Sequence, residues 1–125
     1  MPYNIPNRVK WETFKGEEYL SIDYSNLNDR EFLNVVMQAK KQMENVRNRS
    51  VKLMSNLTNF EVSFTTFQTV MTLTAEEKDK IAKFAIINNI QSNSSFLTEY
   101  LKVFGFEKIT FPDKESALEY LMNED

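Results

Sequence analysis

The sequence predicts an α/β domain with a mixed, mostly parallel sheet of four to five strands, an N-terminal hairpin and helices packed on the sheet. Two stretches on either side of Lys15-Gly16 alternate apolar and polar side chains, as the strands of a hairpin do. Short apolar segments then alternate with helical patterns, which is typical of crossover connections between parallel strands. We expect residues 1–125 to form one domain, with residues 1–7 loosely ordered.

Five segments have the apolar pattern of strands. The first two alternate in polarity, which indicates half-buried strands. The third and fourth lack polar alternation, as inner strands covered on both faces do, so we predict that they lie inside the sheet. In chain order the five segments are Arg8 to Phe14, Tyr19 to Tyr24, Val51 to Leu57, Lys83 to Ile90 and Phe106 to Phe111.

Four segments combine helical spacing with capping residues. Asn28 and Glu31 form a capping-box pattern, which predicts a helix over residues 29–48. A second helix is expected to begin at Ser63, and Thr74 with Glu77 offers a second cap, which predicts a break or kink near Thr74. The other two predicted helices begin within Ser92 to Ser95, ending at a left-handed Gly105, and at Asp113.

Composition restricts the chemistry that the chain can perform. It contains no Cys and no His, which removes thiolate ligands, a cysteine nucleophile and the usual general base. The two glycines cannot form a glycine-rich phosphate loop. The net charge of −3, with scattered basic residues, argues against nucleic acid as a partner. We expect no enzymatic activity, no cofactor, no membrane insertion and a cytoplasmic location.

Four carboxylates near strand ends could in principle hold a divalent cation or support catalysis. They are Asp23, Glu31, Glu61 and Asp113. Two of them match helix-capping positions, and the chain shows no separate acidic cluster. We therefore predict structural roles for these carboxylates, no catalytic residues and no metal site.

Three stretches follow the element order of one known family. Tyr19 to Ser25 leads into a long helix, Val51 to Thr58 leads through a short loop to Phe64-Thr65-Thr66-Phe67, and Ile109 to Leu121 is a strand followed by a helix. Together they resemble the STAS or SpoIIAA-like superfamily, which includes bacterial anti-sigma factor antagonists. The resemblance implies a SpoIIAA-like fold and a non-enzymatic regulatory or protein-interaction module that binds a protein partner or itself.

The resemblance also implies a functional surface at the start of the second helix. Ser63, Thr65 and Thr66 lie where the family places its phosphorylatable serine, so they are candidates for partner docking or phosphorylation. A phosphate at a helix N-terminus would meet unpaired N–H groups. The alternative is that Ser63 is an N-cap and the two threonines belong to the first helical turn.

Aromatic residues near the end of the third strand suggest a second function. Phe60, Phe64 and Phe67 could line an apolar pocket, which would make the protein a carrier or sensor of an apolar small molecule or lipid. The alternative is that the three rings are ordinary core beneath the second helix.

The hairpin carries more apolar surface than a short edge ribbon usually buries. The residues concerned are Tyr3, Ile5, Trp11 and Phe14. This excess predicts a weak homodimer that forms through the ribbon, which sedimentation would detect.

Overall fold

The structure, a computed structural model, describes residues 7–88, 99 and 101–123. Residues 101–103 are helical. In chain order the elements are β1 (Val9–Phe14), β2 (Glu17–Asp23), α1 (Asp29–Gln42), β3 (Val51–Asn56), α2 (Phe64–Leu73), a 3₁₀ helix (Ala75–Lys80), β4 (Ile81–Ile87), a second 3₁₀ helix (Phe106–Ile109), β5 (Thr110–Phe111) and α3 (Lys114–Met122).

The five strands form one sheet in the order β1-β2-β3-β4-β5. β1 and β2 are antiparallel, whereas β2, β3, β4 and β5 pair in parallel. Lys15 and Gly16 connect the first two strands with φ of 53° and 81°, the left-handed backbone of a two-residue hairpin turn. The predicted fold class is confirmed, and β3 and β4 lie inside the sheet as predicted.

The capping box predicted for α1 is present, because Asn28 accepts a hydrogen bond from the backbone of Glu31 and Glu31 accepts one in return. The helix ends at Gln42, six residues before the predicted end at residue 48. Lys80 donates to the backbone oxygen of Met43 at 2.7 Å, and this contact takes a carbonyl that a longer helix would have used.

α2 begins at its predicted N-cap, Ser63, and ends at Leu73. The break near Thr74 is confirmed, but the expected second cap there is wrong. The Thr74 hydroxyl donates back to the carbonyl of Val70 at 2.8 Å and makes no cap bond to the 3₁₀ helix that follows. Glu77, the expected capping partner, pairs instead with Lys40 of α1.

The last strand is shorter than the sequence predicts. Residues 106–109 form a 3₁₀ helix, and only Thr110 and Phe111 pair with β4. The Thr110 hydroxyl donates to the carbonyl of Phe106 at 2.7 Å, which closes this turn. Gly105 before it has φ of 74°, the left-handed conformation that was predicted.

The fourth strand runs over Ile81–Ile87 and thus begins two residues before the predicted start, while the predicted residues 89 and 90 lie outside the described residues. Most of the helix predicted to begin within Ser92 to Ser95 also lies outside them. Asp113 caps α3 as predicted, since its side chain accepts from the backbone N–H of Ser116.

The sheet separates two apolar cores. One face packs against α1 and α2, and the other packs against α3. Trp11 packs against the first core and donates its indole N–H to Gln42, while Phe14 packs against the second core. Tyr3 and Ile5 lie outside the described residues. Self-association through the ribbon stays a prediction.

Candidate functional site

A cavity of about 330 Å³ lies in the first core, between the sheet and the two helices α1 and α2. Its floor is the face of the sheet on which Ile22, Leu53, Ser55 and Ile86 lie. The parallel register places Ser55 of β3 directly between Ile22 of β2 and Ile86 of β4. The floor is therefore apolar except for one hydroxyl at its centre.

Aromatic rings form one wall of the cavity. Phe32 of α1 packs edge-on against Tyr24, with ring centroids 5.2 Å apart, and stacks on Phe67 of α2 at 6.5 Å. These three rings line the cavity, and fully buried Phe60 packs edge-on behind Phe32 and Phe67. The rings support one another in these orientations, so the aromatic wall is already formed in the absence of a ligand.

The charged lining residues lie at the end of the cavity near the first 3₁₀ helix. The ammonium group of Lys40 lies 2.8 Å from the carboxylate of Glu77, and exposed Lys78 follows Glu77 in the chain. The hydrogen bond that Lys40 donates to Glu77 raises the pKa of Lys40. These half-buried and exposed groups form a polar rim, whereas the floor and the aromatic wall are apolar.

Two hydroxyl groups in the lining have no hydrogen-bond partner within the described part of the chain. They belong to Ser55, which is 5% exposed, and to half-buried Tyr24. Desolvation inside the protein raises the pKa of Tyr24 well above its usual range, so its hydroxyl stays protonated and can donate. Both groups are available to a molecule that occupies the cavity.

The cavity is partly open to solvent, so water can enter it in the absence of a ligand. A ligand that replaces this water would remove apolar surface of the floor and the aromatic wall from contact with water, which is worth about 25 cal/mol per Å². An occupant would therefore stabilise the protein.

The structure separates the three phenylalanines predicted for an apolar pocket. Phe67 lines the cavity, and Phe60 supports it from behind. Phe64 is 50% exposed and does not belong to the described lining of the cavity. The cavity thus lies beneath α2, where one of the three predicted rings reaches it directly.

Ser63 and Thr66 belong to a hydrogen-bond network that joins the N-terminal ends of α1 and α2. Their hydroxyls donate to the same carboxylate oxygen of Asp29, at 2.7 and 2.8 Å, and the backbone N–H of Ser63 donates to the other oxygen at 2.8 Å. A phosphate on either hydroxyl would face this carboxylate. Thr65 is exposed, and its hydroxyl lies outside the network.

This network predicts a pH dependence. The hydrogen bonds from Ser63 and Thr66 lower the pKa of Asp29, so its stabilising effect is present above the unfolded pKa and is lost as the pH falls through the lower folded value. Asp29→Asn should therefore flatten the loss of stability on acidification from about pH 5 to about pH 2.5. Ser63→Ala should lower stability by about 0.5 to 2 kcal/mol. Urea denaturation across this pH range measures both effects.

The matched control is Asp79→Asn, since Asp79 is exposed on the first 3₁₀ helix. It should leave the acid dependence of the wild type unchanged. If the free energy of unfolding of Asp29→Asn falls with pH as steeply as that of the wild type, the Asp29 network does not stabilise the fold.

Three of the four carboxylates considered from the sequence have local partners. Asp23 accepts from the backbone N–H of Ser25 and lies 3.6 Å from Arg8. Glu31 and Asp113 act as capping groups, and Glu61 is exposed. Among the described residues, no group of three or more acidic side chains could hold a metal ion.

A second cavity, of about 390 Å³, lies at the carboxyl ends of β4 and β5. Asn88, Leu101 and Thr110 are among its lining residues. No group within residues 7–88, 99 and 101–123 donates a hydrogen bond to the side-chain oxygen of buried Asn88. Leu101 lines both cavities, so its side chain lies between them.

Two features of the first cavity were missed by the sequence analysis. One is Ser55, and its signal was present, because it is the polar member of the inward series Val51, Leu53, Ser55 and Leu57. The other is the pair formed by Lys40 and Glu77, which are 37 residues apart. No local pattern connects them, so only the packing of the 3₁₀ helix against α1 reveals the rim.

Comparison with solved structures shows the fold. The chain is similar to an uncharacterised protein of the DUF3478 family from Shewanella loihica PV-4, which has a SpoIIAA-like fold. The TM-score is 0.68 and the sequence identity 15%, over 97% of this chain and 98% of the other. The predicted SpoIIAA-like fold is thereby confirmed. No protein-family model and no curated protein matches the chain by sequence. Among the described residues, no helix has the length and apolar character needed to cross a bilayer.

Proposed function

We propose that this protein is a non-enzymatic SpoIIAA-like module that binds an apolar small molecule or a lipid chain in the cavity beneath α2. The observation that carries the proposal is a partly open cavity of about 330 Å³ that is lined mainly by apolar floor and wall residues. Ligand sites in proteins are typically concave, mostly apolar and equipped with a few polar groups, and this cavity has that composition.

The volume limits the size of the ligand. An engineered apolar cavity of about 150 Å³ binds benzene, so a cavity roughly twice as large holds about a dozen non-hydrogen atoms. A medium-length alkyl chain or a two-ring aromatic molecule has this size. A bulky sterol does not fit, and a long acyl chain could enter only in part.

Ligand removal tests the proposal. Protein purified under native conditions should contain an organic molecule that native mass spectrometry detects and solvent extraction identifies. Stripping that molecule should lower the melting temperature, and adding it back at about 100 times its Kd should restore about 2.7 kcal/mol. A purified protein that carries no ligand, and that no medium-chain compound stabilises, would contradict the proposal.

A second candidate function is the protein-interaction module that the family resemblance implies. Leu33 and Met37 lie one helical turn apart on α1 and are 42% and 60% exposed. Phe64, also exposed, begins α2 beside the Asp29 network. These apolar side chains and exposed Thr65 support docking of a protein partner near Ser63, Thr65 and Thr66.

Thr65→Glu tests the second function, because Thr65 lies outside the Asp29 network and its substitution should leave the fold intact. The partner recovered by affinity purification from the native organism should be lost with Thr65→Glu and kept with Glu61→Gln. If Thr65→Glu leaves the recovery of the partner unchanged, this surface is not the docking site.

A further inference from the structure

The centre of the cavity floor contains a hydroxyl that no described residue engages in a hydrogen bond. Ser55 lies on β3 between two isoleucines of the neighbouring strands, and it is 5% exposed. Within the described residues its hydroxyl forms no hydrogen bond. Because Ser55 lines the cavity and its hydroxyl has no partner among these residues, the hydroxyl can hydrogen-bond there to water or to a ligand.

A second unsatisfied hydroxyl lies on the same side of the sheet. Tyr24 directly follows β2, two residues after Ile22, so the two side chains share a face. Its ring packs against Phe32, and its hydroxyl has no partner among the residues that the structure describes. Ser55 and Tyr24 both line the same cavity.

We infer that the ligand is an amphipathic molecule with one uncharged hydrogen-bonding group, such as a hydroxyl, an ester or a carbonyl, and that this group enters first and binds Ser55 and Tyr24. This inference rests on the proposed function. The apolar part of the ligand then lies along the aromatic wall and the isoleucines of the floor. In this orientation the ligand satisfies both hydroxyls and buries its own apolar surface.

The distribution of charge supports an uncharged group. The basic residues that line the cavity, Lys40 and Lys78, lie at the rim, and Lys40 is paired with Glu77. A carboxylate at the floor would lose its hydration without a cation beside it, which is far more costly than burying a neutral hydroxyl. An anionic ligand would therefore have to place its charged group at the rim and its alkyl end next to Ser55.

Two probes of equal chain length distinguish these orientations. Octan-1-ol carries a neutral hydroxyl, and octanoate carries a carboxylate at pH 7.5. Isothermal titration calorimetry should show octan-1-ol binding at least about tenfold more tightly than octanoate. Ser55→Ala should weaken octan-1-ol binding by about three- to tenfold, as expected for one neutral hydrogen bond, and Tyr24→Phe should have a similar effect.

Ser55→Ala should leave the melting temperature of the unliganded protein close to that of the wild type, because none of the described residues forms a hydrogen bond with this hydroxyl. A residue that only supports the fold would not combine unchanged stability with weaker binding. The matched control is Ser21→Ala, which makes the same change in β2 on the opposite face of the sheet and should leave octan-1-ol affinity unchanged.

Other results would overturn the inference. Tighter binding of octanoate, reduced by Lys78→Gln and unaffected by Ser55→Ala, would place the polar group at the rim. If neither Ser55→Ala nor Tyr24→Phe alters the affinity for octan-1-ol, the cavity is a purely apolar site and the inferred contact of the ligand's polar group with these two residues is wrong. If neither probe binds, both this inference and the proposed function fail.

Discussion

Ala39→Phe is expected to abolish binding of octan-1-ol while leaving the protein folded. Ala39 lies on α1 and lines the cavity, so a phenyl ring at this position would occupy the space of the ligand. The affinity should fall by about tenfold or more. The free energy of unfolding should stay within about 1 kcal/mol of the wild type or rise, because the new side chain fills existing space and buries apolar surface.

The matched control is the same substitution on the opposite face of the sheet. Ala85 of β4 is fully buried in the core beneath α3, together with Met54 and Leu121. Ala85→Phe should cost at least about 1 to 3 kcal/mol, because the ring must displace packed neighbours. Calorimetry for binding and urea denaturation for stability measure both variants. Equal destabilisation by the two substitutions would show that the cavity is not open space in solution.

Truncation of leucines at neighbouring positions is expected to give a large and unequal loss of stability. Leu20 of β2 and Leu53 of β3 are directly paired and face the same core. Only Leu53 lines the cavity. Leu20→Ala should cost about 4 to 5 kcal/mol and Leu53→Ala about 2 to 3 kcal/mol, both within the usual range for buried leucines, because Leu53 already lacks contacts on its cavity side.

Urea denaturation of both variants, stripped of ligand, measures this difference. A loss below about 1 kcal/mol for Leu53→Ala would mean that Leu53 is not part of the core. A larger loss for Leu53→Ala than for Leu20→Ala would mean that Leu53 is the more tightly packed side chain, which would contradict the position of the cavity.

The fold was largely predictable because its signals are local. The Lys15-Gly16 turn, the capping box at Asn28 and the Asp113 cap each act within a few residues, and all three form as expected. The end of α1 was not predictable in this way. It depends on Lys80, which reaches the carbonyl of Met43 from a distant part of the chain.

The candidate site was predicted less well than the fold. The aromatic series pointed to the space beneath α2, where Phe67 lines the cavity and Phe60 packs against Phe67. Ser63 was predicted as a site residue from its position in the family pattern. Ser55 was overlooked because it is the one polar member of the inward-facing series of β3. Whether a hydroxyl has a partner depends on tertiary packing, which sequence spacing does not reveal.

The order of the strands has a consequence for synthesis. Because β1 to β5 lie in the sheet in the order in which they are translated, each new strand can pair with the edge that was completed just before it. The face that packs against α3 is different. Its apolar side chains, which include Tyr19, Met54 and Ala85, precede α3 in the chain and depend on it for cover. A nascent chain that has not yet been extended beyond residue 114 would therefore expose one apolar face of a nearly complete sheet, and synthesis of α3 removes this aggregation-prone surface.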